Sequence, residues 1–166
     1  MSGAGAPGTP APDFDLPIVG GGYRGLRDVV EPGGGIVVFF KESCPTSQLL
    51  LSHLNTLAHA LEREDRLLLA VAQEDEAVAR AFRDENGLAF AVASEAPPFD
   101  ASVEYGVLNV PTLFVIDGAG VIAERVVGFV KAEYLALGPA IEQALALGDV
   151  PPVLDSPETM PDLKPG

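Results

Sequence analysis

The sequence predicts an α/β fold, a mixed central sheet with helices on both faces, and three features carry that reading. Gly35-Ile36-Val37-Val38-Phe39-Phe40 is an unbroken apolar run, the pattern of a strand covered on both sides. Strand and helix patterns then alternate along the chain. Two further apolar strands, separated by the turn Asp117-Gly118-Ala119-Gly120, form a hairpin and add antiparallel pairing.

The elements follow in order. Gly20-Gly21-Gly22 and Gly33-Gly34-Gly35 mark turns around a short segment holding Leu26 and Val29. After the strand at 35–40, Leu50, Leu54, Leu57 and Leu61 recur at the three-and-four spacing of an amphipathic helix over 45–62, with Pro45 tolerated in its first turn. Residues 66–71 hold the buried strand Leu67-Leu68-Leu69-Ala70-Val71. Asp75 to Asn86 is a helix with an acidic start and Gly87 as its stop. Leu88 to Ala93 is a short strand and Phe99 to Tyr105 a short helix. Thr112 to Ile116 and Val121 to Val127 are the hairpin strands. A last helix runs from Lys131 to Leu147, with Leu135, Ile141 and Leu145 among its apolar positions and Gly148 closing it. There is no internal repeat.

With 166 residues, 48% hydrophobic and 20% charged, the chain suits one domain with a sizeable core, placed at 11–147. Residues 1–10 read as disordered, lacking the basic start and apolar segment of a secretory signal or membrane anchor. Residues 148–166, with Pro151, Pro152, Pro157, Pro161 and Pro165, read as a Pro-rich tail that builds no core. A formal charge of −14, with no lysine or arginine cluster to offset it, argues against nucleic acid or an anionic membrane as partner. A single cysteine excludes an internal disulfide framework and fits a reducing compartment, so a cytoplasmic location is expected.

That cysteine, Cys44, lies in Ser43-Cys44-Pro45-Thr46-Ser47, between the first buried strand and the helix. A helix N-terminus offers unpaired N–H groups and partial positive charge, which favour the thiolate, the form that attacks disulfides and peroxides. Other candidates are weaker. His53, nine residues into the helix, is roughly 13 Å along the axis from Cys44, too far for direct proton transfer. His53 and His59 read as solvated helix positions, and residues six apart share no face, so no metal is expected. The glycine runs lack the order of a phosphate loop and read as turns, and no cofactor is expected. Ser47 and Ser52 lack the context of a hydrolase nucleophile. Glu62, Glu64, Asp65 and Glu74, Asp75, Glu76 read as solvated helix ends.

Residues 11–147 resemble the thioredoxin-fold redoxins, the group that includes TlpA-type thiol-disulfide oxidoreductases and the AhpC/TSA peroxiredoxins. The motifs are Ala11-Pro12-Asp13-Phe14-Asp15-Leu16, the run from Val38 to Ser47, and Gly106-Val107-Leu108-Asn109-Val110-Pro111-Thr112-Leu113-Phe114-Val115-Ile116-Asp117 with its D-G-x-G turn. The resemblance implies a cis peptide bond at Pro111, with Val110 and Pro111 facing the cysteine and orienting an extended peptide.

Several positions depart from the family pattern. Ser47 stands where two-thiol oxidoreductases carry the resolving cysteine. Ser43 replaces the usual aromatic residue, and Val38 the buried acid. On the peroxiredoxin side, Lys41 replaces the threonine three residues before the cysteine and Val37 the earlier proline. A Lys41 charge would favour the Cys44 thiolate if it pointed inward, and a Glu42 charge would oppose it.

The expected function is a thioredoxin-like oxidoreductase acting through one thiol. Cys44 attacks, Ser47 hydrogen-bonds the sulfur, and the Thr46 hydroxyl and the amides beyond Pro45 stabilise the thiolate. Mixed disulfides with a protein or small thiol would then need an external reducing thiol for release. Two alternatives stand beside it: a peroxiredoxin-like monothiol peroxidase with an antioxidant role, and a redox-inactive binding module in which Cys44 is simply a small buried residue.

Overall fold

The computed structural model describes residues 3–61, 67–154 and 156–166. A hairpin of β1 (Asp15–Pro17) and β2 (Tyr23–Gly25) leads into the short helix α1 (Leu26–Val30). Then come β3 (Gly34–Phe40), α2 (Pro45–Leu61), β4 (Leu68–Ala72), α3 (Glu76–Asn86), β5 (Ala91–Ser94) and α4 (Asp100–Glu104). The chain continues through β6 (Thr112–Asp117), β7 (Ile122–Val127), β8 (Phe129–Val130), α5 (Lys131–Leu145) and β9 (Leu163–Lys164). The central sheet has the order β5-β4-β3-β6-β7. β3, β4 and β5 run parallel, while β6 is antiparallel to both β3 and β7, so the sheet is mixed as the sequence predicts.

β3 is buried along its whole length, and its alternation serves both faces. Ile36, Val38 and Phe40 pack with Leu50, Leu54 and Leu57 of α2, Phe82 of α3, and Tyr134, Leu137 and Ile141 of α5. Val37 and Phe39 point the other way, toward Val29 of α1, Ala101 of α4, Tyr105, Phe114 and the N-terminal residues Ala11 and Phe14. Tyr105 lies at the centre of the second face, its ring 5.3 Å from Phe39, 5.1 Å from Phe114 and 6.0 Å from Phe14. Its hydroxyl donates to the Pro12 carbonyl at 2.7 Å. Burial, with Asp13 and Glu104 nearby, pushes the phenol well above its ordinary range, so it remains a neutral donor.

Local signals set the helix ends. The Asp75 carboxylate accepts from the Val78 amide at 2.9 Å and caps α3, and Gly87 ends that helix in the left-handed conformation at φ 58°. α5 departs from expectation. It stops at Ala146, φ 50°, rather than at Gly148, because the chain must turn back there to bury Val153 and Leu154 in the first cluster. The Glu142 side chain accepts from the Val150 amide at 2.7 Å and holds that turn. Leu135, read as apolar core, is 52% exposed and lies on the outer face of α5.

The ends of the chain, expected from composition to lack order, are hydrogen-bonded to the domain. Gly8 donates to Ile122 and Ala11 to Gly120, laying residues 8–11 along the β7 edge. The C-terminal segment returns through a 3-10 turn, Pro157–Thr159, so that β9 pairs with β8. Composition describes side chains, whereas both contacts are made by backbone groups, which every sequence carries. Glu62, Glu64, Asp65 and Arg66 lie outside the described residues. Among the described residues, no helix is long and apolar enough to cross a membrane.

Two substitutions test this packing by urea denaturation. Phe39→Ala empties the space between two rings at a fully buried position and is expected to cost about 3–5 kcal/mol of stability. Ala146→Gly relieves a left-handed alanine, and the gain of about 1 kcal/mol, less the added freedom of glycine in the unfolded chain, should raise the midpoint slightly.

Candidate active site

The site is built where β3 ends and α2 begins. Cys44 is the residue before the first helical position, its carbonyl accepting from the Gln48 amide at 3.0 Å. Its sulfur takes the place that a serine or aspartate oxygen usually fills at a helix start, accepting from the Ser47 amide at 3.4 Å. The sulfur therefore faces the positive end of a 17-residue helix. The loop before it is pinned on three sides. The Cys44 amide donates to the Lys41 carbonyl at 3.2 Å, the Lys41 amide to the Ser47 hydroxyl at 3.4 Å, and the Gln48 side chain to the Glu42 carbonyl at 2.8 Å. The Glu42 amide reaches across to the Glu74 carboxylate at 3.3 Å.

The opposite wall comes from the start of β6. The register that sets Phe39 opposite Thr112 brings the residues just before β6 beside the loop that follows β3. The Val110–Pro111 peptide bond is cis, as the resemblance implies; Pro97–Pro98 is also cis. The Cys44 thiol donates to the Val110 carbonyl at 3.6 Å. Cys44, Ser47 and Val110 thus meet, with Pro111 buried behind Val110 and Thr46 buried beside the helix start. Pro45 opens α2 with its side chain exposed.

Opposing influences act on the thiol. Partial burial is the largest and pushes its pKa up; hydrogen bonds from the Ser47 hydroxyl and amide and from the Thr46 amide and hydroxyl pull it down. The hydrogen bonds win, and the Cys44 pKa lies below the ordinary thiol value. Lys41 and Glu42 are not among these influences, and Lys41 is exposed. Val38, where a buried acid would lie, is fully enclosed by apolar side chains.

His53 differs from expectation. It is 8% exposed rather than solvated, because position 53 falls on the face of α2 that carries Leu50 and Leu57. Among the described residues, no three His, Cys, Asp or Glu side chains could together hold a metal ion. Composition gave no sign of two residues that reach the site from the tail. The Thr46 hydroxyl donates to the Pro165 carbonyl at 2.8 Å, and the Gly166 backbone lies directly against the Val110 carbonyl.

The AhpC/TSA family model matches residues 7–125, a span that includes the Cys44 loop, the cis bond and the β6–β7 hairpin. The chain belongs to the AhpC/TSA family. Among solved structures, this family member is similar to a proposed thiol:disulfide interchange protein DsbE from Chlorobium tepidum, 28% identical with a TM-score of 0.74, over 84% of this chain and 98% of that one. A thio-disulfide isomerase from Thermus thermophilus is 21% identical with a TM-score of 0.66, over 84% of this chain and 96% of that one. The peroxidoxin BcpB from Mycobacterium tuberculosis is 18% identical with a TM-score of 0.65, over 84% of this chain and 94% of that one. These matches place the fold among thioredoxin-like redoxins. No curated protein matches the sequence.

Because the native thiol is shifted down, the midpoint of Cys44 alkylation against pH should lie below that of the urea-unfolded chain. Ser47→Ala removes one hydroxyl donor and should move the native midpoint upward; an unchanged midpoint would show that the Ser47 hydroxyl does not stabilise the thiolate.

Proposed function

We propose that this AhpC/TSA-family protein is a monothiol oxidoreductase that exchanges disulfides through Cys44. The observation that carries the reading is the sulfur's position as the cap of α2, where it is hydrogen-bonded by Ser47 and faces the Val110 carbonyl. Those donors favour the thiolate, the attacking form. The thiolate displaces one sulfur of a substrate disulfide. A bond forms between Cys44 and the near sulfur, the old S–S bond breaks, and the far sulfur leaves as a thiolate that takes a proton from solvent.

Ser47 carries no thiol, so the mixed disulfide persists until an external thiol attacks it. That thiol is oxidised into a new disulfide with the bound group, and Cys44 leaves as the thiolate. A compartment rich in reducing thiols is therefore part of the proposal. Disulfide exchange is favoured over peroxide chemistry by the Lys41 position, where an exposed ammonium stands in place of the hydroxyl that the peroxiredoxin pattern supplies. A protein substrate is supported by the Val110 carbonyl, a backbone acceptor 3.6 Å from the sulfur with which an extended chain could pair.

Equilibration of the full-length protein with glutathione disulfide tests the chemistry. A single adduct on Cys44 should form and be reversed by added dithiothreitol, with Cys44→Ser unmodified. If the folded protein carries no adduct at equilibrium under conditions that modify the urea-unfolded chain, disulfide exchange is ruled out.

A further inference from the structure

The C-terminal segment makes contacts out of proportion to its composition. Lys131, at the start of α5, donates from its ammonium to the carbonyls of Pro157 at 3.1 Å and Met160 at 3.2 Å and pairs with the Asp162 carboxylate at 3.0 Å. Its amide donates to the Asp162 carbonyl at 2.9 Å. These bonds aim the following residues along β8, where Lys164 pairs with Phe129 and Leu163 with Val130. Two residues further on, the chain reaches both walls of the Cys44 site. Pro165 accepts from the Thr46 hydroxyl, and Gly166 packs on the Val110 carbonyl, the same oxygen to which the thiol donates.

Backbone laid against Val110 occupies the place where an incoming strand would pair with the site. Only glycine fits at the end of it, because a Cβ on residue 166 would run into the Val110 carbonyl. The segment lies outside the span that the family model matches. Its contact with Thr46 has a chemical side as well. A hydroxyl has one proton to donate, so the Thr46 hydroxyl, within reach of both acceptors, serves either the Pro165 carbonyl or the Cys44 sulfur and not both at once.

We propose that residues 163–166 are a built-in strap that occupies the peptide groove beside Cys44 and must lift before a protein substrate reaches the thiol. The strap has few apolar contacts of its own. Leu163 is 64% exposed, and the anchoring groups are Lys131, the short β8–β9 ladder and the Thr46 hydroxyl. Such a segment opens locally without unfolding the domain. An extended partner that pairs with the same backbone groups would displace it, coupling access to the thiol with arrival of a protein substrate. This inference concerns regulation of the same site and rests on the reading that the Val110 groove receives an extended chain.

The test is the rate at which N-ethylmaleimide modifies Cys44 in the folded full-length protein at one neutral pH. It compares the unmodified protein with Gly166→Val, Lys131→Met and the double variant. Gly166→Val places a side chain against the Val110 carbonyl and Lys131→Met removes the upstream anchor, while neither alters Cys44, Thr46, Ser47 or Val110. The rate should rise about tenfold in either single variant, the size expected when one or two hydrogen bonds hold a segment closed. In Gly166→Val, where Lys131 is intact, a synthetic peptide of residues 156–166 should reverse the rise. Equal rates in all four proteins, fast or slow, overturn the strap, and so does a rise in Gly166→Val that the peptide leaves unchanged. Adduct formation with glutathione disulfide at equilibrium does not depend on how fast the groove opens, so failure of the disulfide-exchange reading and failure of the strap appear in different measurements.

Discussion

The pairing of β3 with β6 is the constraint on which the site depends. β3 is enclosed on both faces and has no freedom to slide, because a shift of one residue would turn Ile36, Val38 and Phe40 into the opposite cluster. With that register fixed, Phe39 stands opposite Thr112. The chain leaving β3 and the chain entering β6 must then emerge side by side at one end of the sheet. Cys44 and Val110 meet there because the sheet leaves them no other position. The thiol sits on rigid elements, with α2 packed on one face and the Phe39–Tyr105–Phe114 cluster on the other.

The reactivity of that thiol follows from which of two costs is larger. Moving sulfur out of water disfavours its charged form, and partial burial has that effect here. A sulfur at a helix start is compensated by donors that the helix cannot use for itself, since its first N–H groups have no partners inside the helix. Ser47 adds a hydroxyl to its amide and so brings two donors from one residue. A cysteine at position 47 would trade the hydroxyl for a weaker S–H donor while supplying a resolving thiol. Serine therefore keeps the thiolate well solvated and removes the internal route of escape from a mixed disulfide. The two effects oppose each other in the proposed exchange: a stabilised thiolate makes Cys44 the better leaving group, while the absence of a second thiol leaves release to an external one.

The sequence reveals the fold wherever the signal resides in side-chain pattern or cap chemistry. Asp75 and Gly87 bracket α3 within one residue of the predicted limits, and the apolar run at 35–40 is the central strand. The pattern misleads where a residue's neighbours in space decide. Leu135 matches helical spacing as an apolar residue yet faces solvent, and His53 is polar yet buried on the leucine face of α2. Ala146 ends α5 although Gly148 is the better stop, because the hydrophobic pull on Val153 and Leu154 sets where the chain must turn. At the site, the place of Cys44 before the helix was legible from the apolar pattern, and the positions of Ser47, Val110 and Pro111 beside it from the family resemblance. The tail was not, since Pro165 contributes a carbonyl and Gly166 the absence of a side chain, and neither leaves a mark in composition.

The same property explains why the two halves of the tail differ in kind. Val153 and Leu154 are almost wholly buried in the first cluster, and removing them from it would cost about 1.5–3 kcal/mol each. Those residues belong to the fold. Residues 161–166 are exposed or half-exposed and are held by backbone pairing, one lysine and one threonine hydroxyl, each hydrogen bond worth about 1 kcal/mol net of water. A segment tied down in this way is stable enough to be ordered and weak enough to exchange with another chain that offers the same backbone groups. Its proline and glycine, which disqualify it as core, suit that role. Proline lacks an amide to commit to the ladder, and glycine permits the close approach to Val110. The energetic boundary between fixed and exchangeable chain therefore falls between Leu154 and Lys164, with Lys131 as the hinge point that both sides share.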